Sequence, residues 1–94
     1  MIFMVVERFR DTAAVYRRLR EKGRMMPHGL QFLSSWVNTN QGRCFQLVET
    51  SDPGLLNQWA EQWSDLVDFE FVEVTSSDFE KGPASDALDT NEDN

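Results

Sequence analysis

Apolar residues of both parities open the chain. In MIFMVVER, residues 1–8, Ile2, Met4 and Val6 alternate with Phe3 and Val5. A strand with one wet face shows only one such set, so two sets predict a central strand covered on both sides. The period then lengthens. Val15 and Leu19 stand four apart with Ala14 beside them, which predicts a helix over Thr12 to Lys22, capped by Asp11 and stopped by Gly23. Pro27 and Gly29 mark a loop. Leu30 to Val37 and Arg43 to Glu49 read as strands joined by the Asn- and Gly-rich turn Asn38 to Gly42, so SSWVNTNQGRCFQLVET is a β-hairpin. Asp52 and Pro53 start a second helix, because the Asp side chain accepts orphan N–H bonds and Pro loses nothing at the first helical position. Leu55, Leu56, Trp59 and Trp63 fall on one stripe of it. Val67 to Val74, with Phe69, Phe71, Val72 and Val74, predicts the last strand.

The resulting order, β-α-β-β-α-β, is the split arrangement of ferredoxin-like α+β domains. Both helices then pack on one face of a four-stranded antiparallel sheet, leaving the other bare. A first strand that is apolar front and back needs a cover there, and a second copy packed sheet to sheet is the simplest one. The expected assembly is a homodimer of the dimeric α+β barrel type. A small-molecule ligand would sit between the helix-free sheet face and the partner, or under a helix edge.

Composition bounds the picture. Ninety-four residues make one domain, with 40% apolar and 12% aromatic residues placing it in the globular class. So short a chain buries only about 60–65% of its unfolded surface, which favours a partner subunit. The net charge of −7 is uneven. Residues 76–94 hold six acids against Lys81, leaving −2 for the rest. The expected domain is therefore 1–76, followed by an acidic disordered tail, 77–94. No apolar run approaches the roughly 18 residues of a membrane span, and MIFMVVERF lacks the basic region and cleavage site of a secretory signal, so a cytoplasmic protein with no membrane contact is expected. Cys44 is the only cysteine and His28 the only histidine. An intrachain disulfide is excluded, and one of each does not make a zinc site, so neither metal nor cofactor is expected. Phosphate-loop and dinucleotide fingerprints are absent.

Four residues are candidates for ligand binding: Trp36, Gln46, Cys44 and His28. On the third strand Phe45 and Leu47 share one face, and Cys44, Gln46 and Val48 the other. With the more apolar pair turned to the helices, Cys44 and Gln46 look into the dimer-side space. There the Gln46 amide needs a partner, since leaving it unpaired costs about 1–3 kcal/mol. An interface hydrogen bond is the plainer alternative to a ligand. Cys44 becomes a nucleophile only beside a base or cation; its plainer role is that of a small buried hydrophobe. Trp36 can orient a polar ligand through its indole N–H, or simply pack. His28, in its loop, can serve as an acid or base, and a solvated side chain is the plainer reading. Trp59 and Trp63, at i and i+4, read as core anchors of the second helix. Glu7, Glu49, Asp65 and Asp68 lie near strand ends, where Arg8, Arg24 and Arg43 can pair with them structurally. Seven bases between Arg8 and Arg24 against Asp11 and Glu21 make a local +5. A solvated helix face explains that stretch in an acidic domain better than nucleic-acid binding does.

The runs MIFMVVERF, GRMMPHGL, SSWV, RCFQLVET and the W-x3-W-x-D-L-V-D-F-E run from Trp59 to Glu70 resemble a family of small bacterial proteins known only as domain of unknown function thirty-three oh three. The resemblance covers about residues 1–76. It implies a ferredoxin-like, dimeric α+β-barrel domain, and it transfers no catalytic residue. More distantly, the layout is similar to dimeric α+β-barrel monooxygenases and haem-degrading enzymes, a likeness of fold alone. The leading functional reading is a small homodimeric module that binds a small organic molecule or a protein partner at the sheet face or its rim. The alternative is a cofactor-independent monooxygenase, with Trp36, Gln46, Cys44 and His28 placing an aromatic substrate. Nucleic-acid binding by the first helix is a third reading.

Overall fold

In the computed structural model, which describes residues 1–38, 40 and 42–76, six elements follow in the order expected: β1 (Ile2–Phe9), α1 (Thr12–Lys22), β2 (Gln31–Val37), β3 (Arg43–Glu49), α2 (Gly54–Glu61) and β4 (Val67–Val74). The anticipated tail, 77–94, lies outside the described residues. The strands form one antiparallel sheet in the order β2-β3-β1-β4, which is the ferredoxin-like topology. β1 is central, as its two apolar sets require. Among the described residues no helix is long and apolar enough to cross a membrane.

Local chemistry sets the element ends. Asp11 Oδ1 accepts the Ala14 N–H at 3.1 Å and opens α1. At its other end Gly23 donates its N–H to the Leu19 carbonyl at 2.8 Å with φ of 69°, while Arg20 and Lys22 complement the helix dipole in the last turn. Gly29, at φ 97°, lies so close to α2 that a β-carbon would sit 3.0 Å from Leu55 Cδ1. The second helix starts one residue later than expected: Pro53 is the N-cap and Gly54 the first helical residue, while Asp52 Oδ1 accepts the Gly54 N–H at 3.0 Å from just outside. Beyond Glu61 the chain continues in turns, where the Trp63 carbonyl accepts the N–H groups of both Leu66 and Val67 at 2.9 Å. β2 carries an irregularity between Phe32 and Ser34, so Leu33 is the extra residue of a bulge.

The core is built from Phe3 and Val5 of β1, Val15 of α1, Leu30, Val48 of β3, Leu56 and Trp59 of α2, Trp63 and Val67. These residues define the helix-covered face of the sheet. The opposite face carries Ile2, Met4 and Val6, with Phe45 and Leu47 across from Val6 and Met4, and the exposed Trp36 and Val72 beside them. Two ion pairs tie α1 and the end of β1 to the start of β4. Arg18 holds Asp65 through two bonds of 2.7 and 2.8 Å, and Arg10 holds Asp68. Of the four strand-end acids, Asp65 and Asp68 are ion-paired, by Arg18 and Arg10 rather than by the expected Arg8, Arg24 or Arg43. The Arg18 guanidinium pulls the Asp65 carboxyl down to about 2.

The facing of β3 is the reverse of the expectation. Cys44, Gln46 and Val48 are buried against the helices, and Phe45 and Leu47 occupy the helix-free face. Counting apolar atoms on one strand misjudged it, because the sides are set by register. Val48 pairs with Phe3, Gln46 with Val5 and Cys44 with Glu7, so all three share the face of the core residues of β1.

Candidate functional site

Between the helices and the sheet lies a cavity of about 190 Å³. It is on the helix side, the second of the two places considered. Its floor is Glu7 of β1, Ser35 and Val37 of β2, Cys44 and Gln46 of β3 and Phe69 of β4; Val15, Tyr16 and Leu19 of α1, with Trp59 and Trp63, wall the other side. Arg24 enters from the loop after α1. Val37 is exposed, so the cavity reaches the surface at the β2 edge.

Two indoles fix that loop. Trp59 Nε1 and Trp63 Nε1 donate to the same acceptor, the Arg24 carbonyl, at 2.9 and 3.0 Å. Trp59 on α2 and Trp63 in the turns that follow it, outside the helix expected to carry both, bolt the loop after α1 to this segment. The chain bends sharply there, with Met25 in the left-handed region at φ 59°, a conformation uncommon outside glycine. The anchored backbone turns the Arg24 side chain inward. Its guanidinium carbon lies 4.0 Å from the Phe32 ring centroid, and its Nε donates to Gln46 Oε1 at 3.3 Å.

A polar chain therefore runs through an otherwise apolar chamber. Arg24 donates to Gln46, and Gln46 Nε2 donates to Glu7 Oε2. Glu7 is only 5% exposed. A carboxylate in such a place gives up hydration, and burial pushes its pKa up to about 7, against the opposing effects of the Gln46 hydrogen bond and the Arg24 charge. Its other oxygen, Oε1, has no hydrogen-bond partner among the described residues, and Glu7 lines the cavity. Cys44 lies beside this chain with its sulfur 3.5 Å from Ser35 Oγ. Burial raises the thiol pKa more than the Ser35 hydroxyl lowers it, so the sulfur is a protonated wall atom at neutral pH rather than a nucleophile.

Of the four sequence candidates, Gln46 and Cys44 line the cavity, and the other two do not. Trp36 pairs with Phe45 on the opposite face and is 55% exposed, and His28 is exposed in its loop. The convergence that an aromatic monooxygenase site of these four residues requires is absent. Glu7 and Arg24, which the sequence presents as strand-end ion-pair partners, are cavity residues. A signal for Glu7 was present, since it continues the Phe3, Val5 parity inward; none local to Arg24 marks it. Arg24 is turned to the cavity, and Arg10 and Arg18 are bound to acids, so three of the seven bases near α1 are engaged. Among the described residues no group of three or more His, Cys, Asp or Glu side chains forms a metal site.

No curated protein and no solved structure matches the chain. The family model described as Domain of unknown function (DUF3303) matches residues 1–81, including every element and every residue of the cavity. The chain therefore belongs to this family of domains of unknown function.

Proposed function

We propose that this chain is a small-molecule-binding module that holds one small, largely apolar ring compound in the helix-side cavity and works as a homodimer through the bare sheet face. The observation that carries the ligand reading is the Arg24–Gln46–Glu7 chain in an aromatic-walled chamber. A core formed only for packing would place an aliphatic residue where Glu7 stands, because an ionised carboxylate is costly to bury. The size argues for a single ring with a short substituent: an apolar cavity of about 150 Å³ takes up benzene, and this one measures about 190 Å³. The polar end offers a carboxyl oxygen and a guanidinium, which suits a ligand bearing a hydrogen-bonding group and no large net charge. The dimer reading rests on the row of apolar side chains on the helix-free face, Ile2, Met4, Val6, Phe45, Leu47, Trp36 and Val72, too extended for solvent.

The three tryptophans provide the test. With 5-fluorotryptophan incorporated, ¹⁹F NMR titrations with phenol, benzyl alcohol and phenylacetone should shift the resonances of Trp59 and Trp63 and leave Trp36 in place. A response of Trp36 alone would move the binding site to the sheet face. No response to any probe would defeat the ligand reading.

A further inference from the structure

The cavity unites three things that proton abstraction from carbon requires: a carboxyl group that lines the chamber, a fixed cation that can hold a developing oxyanion, and aromatic walls that hold a ring beside them. Gln46 binds Glu7 at Oε2, which leaves Oε1 without a partner among the described residues. The Arg24 guanidinium spends its Nε on Gln46 and rests on Phe32, while its two Nη groups make no hydrogen bond among the described residues. Gln46 lies between them and fixes both, one end on each. A group that only neutralised Glu7 would pair with it directly. Here the amide is interposed and the cation is held apart.

We propose that Glu7 is a catalytic base that enolises a small aryl ketone or aldehyde bound in the cavity, with Arg24 holding the carbonyl oxygen; the proposal rests on the ligand-binding reading above. In the step, Glu7 Oε1 takes a proton from the carbon next to the carbonyl. The C–H electron pair becomes the enol double bond, and the carbonyl π pair moves onto oxygen against the Arg24 Nη groups. Protonated Glu7 exchanges its proton with solvent through the opening at the β2 edge and then returns a solvent-derived proton to that oxygen, giving the enol, or to carbon, restoring the ketone. Glu7 ends as the carboxylate it began as, and nothing is oxidised or reduced. The other titratable groups lining the cavity are Cys44 from β3, Tyr16 from α1 and Arg24 itself. Cys44 is held as the thiol by burial, and Arg24 carries a permanent charge, so the carboxyl is the group suited to exchange a proton near neutral pH.

The test is deuterium exchange at the α-carbon of phenylacetone in D₂O, followed by ¹H NMR with the full chain. Exchange should exceed the buffer rate by about 10²-fold or more, in the range of general base catalysis, and should rise with pD through the neutral range. Glu7→Gln should lose the exchange while still shifting the fluorotryptophan signals. Glu7→Asp, which withdraws the carboxyl by one methylene, should retain a reduced rate, and Arg24→Met should slow exchange without abolishing binding. Phenylacetone that shifts Trp59 and Trp63 but exchanges no faster than in buffer would overturn the catalytic role and leave ligand binding standing. So would a folded Glu7→Gln protein that exchanges at the wild-type rate. Absence of any tryptophan shift would remove both readings.

Discussion

At the scale of the residue, Glu7 sets a pH dependence whose sign follows from its surroundings. In the unfolded chain its carboxyl titrates at the ordinary 4.5, and in the folded chain at about 7. Between those values the native state holds a proton that the unfolded state has released, so stability falls as pH rises from about 4.5 to about 7 and is level above. The loss is about 3 kcal/mol at 1.36 kcal/mol per unit. Glu7→Gln keeps an acceptor for Gln46 and removes the charge. Urea unfolding should show it more stable than wild type by roughly 2–3 kcal/mol at pH 8 and nearly equal to it at pH 4.5. An equal effect at both pH values would mean that Glu7 is not held in the protonated range. This behaviour was only half legible beforehand. Parity pointed Glu7 inward, but Gln46, its hydrogen-bond partner, comes 39 residues later and no local pattern joins the two.

At the scale of the element, Trp59 and Trp63 are more than anchors of a helix. Both donate to the Arg24 carbonyl, so each covers for the other's loss. Trp59→Phe or Trp63→Phe should each cost about 1–2 kcal/mol, and the double variant more than their sum, since only then is the carbonyl left without a donor. A denaturant double-mutant cycle measures the coupling; strict additivity would show that the shared acceptor is unimportant. The apolar stripe Leu55, Leu56, Trp59, Trp63 is visible in sequence because it repeats at helical spacing. The target of the indole N–H groups is not, because it is a backbone atom in a loop shaped by the positive φ of Met25.

At the scale of the whole molecule, the sheet has one face covered by helices and one face of apolar side chains without a cover among the described residues. If a second copy covers it, charge placed at its centre should separate the copies. Leu47→Arg should sediment as a monomer with its circular dichroism unchanged, whereas the wild type should sediment at twice the chain mass. A wild-type chain that sediments as a monomer at micromolar concentration would remove the dimer reading and leave the cavity, which lies on the other face, unaffected. The two proposals thus stand on opposite sides of one sheet and fail separately.

By itself, the sequence determined the number, order and near-complete bounds of the elements. Those features depend on local matters: the period of apolar residues, Asp11 and Asp52 at helix starts, Gly23 at a helix stop, and Asn and Gly in the hairpin turn. Tertiary structure alone decided which side of β3 faces inward and which polar residues meet. Alternation divides a strand into two sets without saying which is buried; pairing to β1 does that, setting Gln46 against Val5 and Cys44 against Glu7. With that register, a carboxyl, an amide and a guanidinium from β1, β3 and a loop come into one chain, because the amide of Gln46 can donate to one and accept from the other.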